Sequence, residues 1–159
     1  MFGKKSLAAL ALTALVAAGC NDPLDVVDES GCANISGSFA ATNFTAVNLN
    51  NANVSQNVLG TGGSFTLTFN NGSFTSSFIG AAGGQAMTRT GTVGMNVDDG
   101  IITLGTAALF TGGASGSQQF SCLLNGNTLT LTNPNTIFDF GQTGTTSPAR
   151  ITVTLVRNT

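Results

Sequence analysis

Three features of the chain predict an all-β fold, an antiparallel up-and-down meander of about eight to nine strands. After position 35, apolar and polar residues alternate with a period of two, and the 3.6-residue period of a helix is almost absent. Thr, Val and Phe, which suit a pleated and half-buried surface, fill the alternating stretches. Between them stand Asn71-Gly72, Asp99-Gly100 and Asn125-Gly126, pairs that favour the positive φ angles of a two-residue hairpin turn. A row of strands that long needs its edges covered, and closure does this best. A closed barrel is the first expectation and a two-sheet β-sandwich the second.

In chain order, the strands are read at 35–46, 64–70, 73–79, 87–97, 101–110, 118–124, 128–132, 137–140 and 149–157. Residues 51–59 fit an extra strand, a loop or a short helix, and 80–84 and 111–116 are small-residue linkers between hairpins. If each turn is a two-residue loop, counting outward sets the register. Phe69 then faces Phe74, Leu67 faces Ser76 and Phe65 faces Phe78. In the second hairpin Val97 faces Ile102 and Met95 faces Leu104; in the third, Cys122 faces Leu129 and Phe120 faces Leu131. Each register collects the apolar residues on one face, which a one-residue slip would undo. Cys122 falls on the buried face.

The first 19 residues read as a secretory signal. A short cationic start with Lys4 and Lys5 precedes an apolar run over 6–18, too short to span a bilayer comfortably. The run ends in Val16-Ala17-Ala18-Gly19-Cys20, which resembles the lipobox of bacterial lipoproteins, with Ala17 where Leu is usual. The resemblance implies that Cys20 is lipidated and becomes the first residue of the mature protein. It also implies retention at a membrane, and Asn21 in place of Asp after the cysteine favours the outer membrane. Residues 20–31 form the lipidated cysteine and an acidic tether containing Pro23. Its eleven residues after Cys20 reach at most about 36 Å. The domain occupies 32–159.

With Cys20 assigned to lipid, Cys32 and Cys122 remain, and in an oxidising envelope compartment they are expected to pair. No CxxC spacing or His supports a metal or redox pair instead.

Composition excludes much chemistry. The chain has no His, Trp or Tyr, and only 8% of its residues are charged, against a usual ~25%. Without the signal it keeps Arg89, Arg150 and Arg157 against seven acids, a net charge of −4. A nucleic-acid partner is not expected, because no basic stripe is present to neutralise phosphates. A hydrolytic Ser would lack a His or Lys base, so no enzyme is expected and no cofactor. Asp98 and Asp99, with Asn96, read as a hairpin tip rather than a weak Ca²⁺ site. Asp139 reads as a solvated side chain or the partner of an Arg on a neighbouring strand. Gly62-Gly63 and Gly112-Gly113 read as flexible connectors rather than a phosphate loop. Arg89 is the one cation in the middle of the domain. It reads as a solvated outward side chain or as the partner of an anionic ligand head group at a barrel mouth.

The opening Ile35-Ser36-Gly37-Ser38-Phe39, the repeats "SFTLTFNNGSFTSSF" and "NGNTLTLTN", and the closing "ARITVTLVRN" resemble bacterial lipocalin-like lipoproteins over most of residues 33–158. Phe39 stands where lipocalins usually carry the Trp of a Gly-x-Trp element. The resemblance implies a barrel that holds a small apolar ligand. The residues expected to meet it are Phe65, Phe69, Phe74, Phe78, Arg89 and Phe120. An eight-stranded barrel is just wide enough either to fill with side chains or to hold one small ligand. The alternative is therefore a filled barrel that acts through its outer surface, as a structural or protein-interaction module.

Overall fold

The alternating stretches become nine strands: β1 (Gly37–Asn48), β2 (Ser55–Asn57), β3 (Ser64–Asn70), β4 (Ser73–Ile79), β5 (Met87–Asn96), β6 (Ile101–Ala107), β7 (Ser115–Asn125), β8 (Thr128–Phe138) and β9 (Ser147–Arg157). They are seen in a computed structural model that describes residues 32–96, 98–111 and 115–159. The signal segment, Cys20 and the tether lie outside the described residues, as does Val97. From β3 to β9 each strand pairs antiparallel with the next, and β1 pairs with both β3 and β9. Eight strands thus close into a barrel. The ninth, β2, lies against residues 45–47 of β1 and continues into a 3-10 turn at Leu59–Thr61. This resolves the ambiguous 51–59 stretch.

Closure requires two changes of face. Phe39 and Phe44 are five residues apart, an odd spacing, yet both are buried. A β-bulge between Ala41 and Asn43 inserts one residue relative to β9, and so brings both rings inside. In β8, Leu129 and Leu131 face inward, and after a second irregularity between Asn133 and Thr136 the inward positions become Thr136 and Phe138. The stretches expected as two strands, 128–132 and 137–140, are therefore one bent strand ending at Phe138. Pro134 fits inside it because it sits at the irregularity and beyond the last β7 pairing, where no ladder N–H is required.

The first hairpin has the expected register, with Phe65 opposite Phe78 and Phe69 opposite Phe74. Asn71 and Gly72 both have positive φ, as a type I′ turn requires. The other two hairpins are each displaced by two residues. Met95 faces Ile102 and Val93 faces Leu104, so the connection is four residues long. Cys122 faces Leu131 and Leu124 faces Leu129, with Gly126-Asn127 as the turn and positive φ at Gly126. A shift of two preserves the face, which is why Ile102, Leu104, Phe120 and Cys122 are still buried. Alternation determines parity; turn geometry determines register.

The three tight turns lie at one end of the barrel, and the longer connections, described over 49–63, 80–86, 108–111 and 139–146, lie at the other. The chain enters at the tight-turn end. There the Cys32–Cys122 disulfide, with Cα atoms 5.8 Å apart, fastens the start of the domain to β7. Arg157 stacks over Phe39 at 4.6 Å and donates to the carbonyl of Ser36. Gly37 is required in this corner, because φ is +95° and an added Cβ would overlap the Arg157 guanidinium. Gly63, expected to be a flexible connector, is instead packed where a Cβ would collide with the Ile79 carbonyl and Val58.

All strands, both bulges and the disulfide lie within 32–159, so this segment carries the complete barrel. Replacing Cys32 and Cys122 together by Ala is expected to lower the unfolding free energy by about 2–5 kcal/mol, because the cross-link restricts the unfolded chain. Urea denaturation of the oxidised protein against the double variant measures this. An unchanged midpoint and slope would remove the bond from the stability argument.

Candidate functional site

The interior is filled over most of its length. Phe39, Phe65, Leu67, Phe69, Phe74, Ile102, Leu104, Phe120, Leu129, Leu131, Val153 and Leu155 are all buried. Toward the open end the filling is aromatic. Phe44, from β1, meets Phe65 at 5.8 Å, Phe78 at 5.5 Å and Phe138 at 6.2 Å between ring centroids. Phe44–Phe65, Phe65–Phe78 and Phe78–Phe138 are edge-to-face, a geometry worth about 0.5–1.5 kcal/mol beyond area burial.

The ring at the centre of this cluster does not come from a strand. The stretch expected to be strand through residue 110 ends at Ala107. Ala108, Leu109, Phe110 and Thr111 then turn inward and are buried. Phe110 packs 5.1 Å from Phe44, 5.3 Å from Phe65 and 5.4 Å from Phe78. The sequence carried a signal for this: Ala107-Ala108-Leu109-Phe110 is a continuous apolar run that breaks the two-residue alternation.

Above Phe110 a half-open cleft of about 580 Å³ remains. Its floor is Phe78, Met87, Phe110 and Phe138, and its rim includes Gln85, Thr111, Asp139, Gln142 and Thr146. Asp139 does not reach a neighbouring Arg. Its carboxylate accepts the backbone N–H groups of Thr143 at 3.1 Å and Gly144 at 2.7 Å, folding the β8–β9 connection over itself. Gln142 is held by this loop and lies against Gly80 of the β4–β5 connection. The two loops form facing walls of the cleft.

Of the residues expected to meet a ligand, Phe78 lines the cleft. Phe65, Phe69, Phe74 and Phe120 pack in the core instead. Arg89 is half buried. It pairs in register with the buried Ser76, between the pairs Phe74–Gly91 and Phe78–Met87, and so stands on the inward face rather than the outer one. The reason is parity: position 89 shares its face with Met87 and Val93, while Thr88 and Thr90 point out. Its guanidinium donates to the carbonyls of Ala108 and Thr88. Ser76 Oγ is buried with no hydrogen-bond partner. Sequence reasoning missed Phe110 and Gln142, which two connections supply, and Met87 and Phe138, which stand at the open ends of β5 and β8.

A second groove, of about 550 Å³, runs where β7 and β8 separate. Their ladder stops at Ser121–Thr132, and Gln118 spans the gap, donating to Thr136 Oγ1 at 2.9 Å. The groove is mixed in character, lined by Asn133, Asn135 and Gln119 together with Pro134, Ile137 and Pro148. At the hairpin tip, Asn96 donates to Asp99 at 2.6 Å, a local turn contact. Among the described residues no group of three His, Cys, Asp or Glu is placed to hold a metal ion.

Comparison of the chain with known protein families, curated proteins and solved structures gives no match. The geometry itself therefore carries the functional argument. It offers apolar contact on a ring-lined floor and hydrogen bonding at the rim.

Replacing Asp139 by Ala is expected to destabilise the protein by about 1–2 kcal/mol, the scale of lost charge-assisted bonds to backbone N–H. It should also speed amide hydrogen exchange at Thr143 and Gly144. Unchanged exchange at those two amides would show that the carboxylate does not hold the cleft wall.

Proposed function

We propose that this protein is a non-enzymatic, lipid-anchored component of a bacterial cell envelope, held at the outer membrane through Cys20. Its barrel binds a small apolar ligand at the open end. The observation that carries the reading is the cleft itself, a concave space with a Phe and Met floor and a polar rim, the combination typical of small-molecule sites. Its position supports the reading too. The chain enters the barrel beside the disulfide, at the end opposite the cleft, so a tether to Cys20 would leave the cleft facing away from the membrane. The Cys32–Cys122 bond fits an oxidising compartment.

One observation favours a second reading. The rings below the cleft fill the interior, so the same end would also suit a partner protein's apolar side chain, with the barrel as an interaction module.

Two measurements test the proposal. Cells fed labelled palmitate should incorporate it into the wild-type protein and not into a Cys20→Ser variant. Label that persists in the variant would remove the anchor. Native mass spectrometry of the exported segment 21–159, free of detergent, should show an extra mass that disappears on denaturation. A uniformly apo protein that also binds no neutral apolar probe would leave the interaction module as the better reading.

A further inference from the structure

We propose that Phe110 is the residue that sets the depth of the apolar site, and that the ligand class is a single unbranched alkyl or acyl chain. The inference rests on the ligand-binding reading above and extends it from the cleft into the barrel.

Phe110 is a partition. One side of its ring lines the cleft. Other parts of it contact Phe44, Phe65 and Phe120, three rings that do not line the cleft. Removing this one side chain therefore joins the cleft to the ring-lined interior. Phe44, Phe65, Phe78, Phe120 and Phe138 are fixed on strands, and Phe140, on the β8–β9 connection, packs on Phe138. Phe110 is carried by a connection.

Side chains help to hold that connection to its neighbours. The β5–β6 ladder stops at Thr92–Gly105, and the β7–β8 ladder stops at Ser121–Thr132. Beyond these points β6 and β7 continue to pair with each other as far as Ala107 and Ser115. Side chains bridge both seams. On one side Arg89 Nε donates to the Ala108 carbonyl at 3.4 Å. On the other, Gln118 accepts from the Leu109 N–H at 3.3 Å and donates to Thr136. The space that the Phe110 side chain occupies is one ring wide and is bounded by Phe44, Phe65, Phe78 and Phe120, which fits a linear chain rather than a fused-ring ligand.

The test is a chain-length series. Normal alkanols from hexanol to hexadecanol displace the fluorescent linear-chain probe cis-parinaric acid from the exported segment, which carries the whole barrel. In the wild-type protein affinity should rise about fourfold per methylene, the value of one buried CH₂, and then reach a limiting length. Phe110→Ala should move that limit to longer chains. If the Ala variant does not fold, Phe110→Leu serves, with a smaller shift in the same direction. Binding with the same limiting length in wild type and variant would overturn the role of Phe110 and leave the ligand reading standing. Failure of the probe and every alkanol to bind either protein would overturn both.

Discussion

Closure depends on β1, which serves as a neighbour to both ends of the meander. It pairs with β3 over residues 37–40 and with β9 along nearly its whole length. A strand in that position must show apolar residues to the interior along all of it, and its own sequence does so only if one residue is looped out. The bulge between Ala41 and Asn43 brings Phe39 and Phe44 onto the same face. Without it, one of two phenylalanines would stand in solvent and the β1–β9 seam would have no continuous inner face. The irregularity in β8 repeats the device on the other side of β9 and brings Phe138 beneath the cleft.

The two ends of the barrel are built from different materials. At the tight-turn end, a disulfide, a stacked guanidinium and a glycine that tolerates positive φ hold the termini together. At the open end, connections replace turns, and side-chain hydrogen bonds replace ladder bonds at two seams. Rigidity at one end and side-chain contacts at the other is the distribution expected of a scaffold that presents a site. Leucines, isoleucines, valine and phenylalanines fill the middle between the two ends.

Arg89 and Asp139 show how charged groups are used in a chain with few of them. Neither is committed to a catalytic partner in the fold. Arg89 donates to carbonyls at a seam, and Asp139 accepts amides within its own loop. Both act on backbone that has left the ladder and whose polar groups need partners. They shape the cleft's surroundings rather than its floor, which is apolar.

The sequence alone determined the strand content, the inward face of each hairpin, the Asn71-Gly72 register and the pairing of the two cysteines. These follow from local alternation, turn chemistry and residue type. It did not determine the register of the second and third hairpins, because a slip of two residues leaves every side chain on the same face and is invisible to alternation. Nor did it determine that residues 128–138 form one strand, since Asn133-Pro134-Asn135 resembles a break unless the bulge is seen. The inward turn of Phe110, the inward stance of Arg89 and the assembly of the cleft from three connections were decided by tertiary structure. Each depends on which elements stand beside one another once the barrel closes. A pattern read along the chain carries the parity of a residue but not its neighbour across the interior.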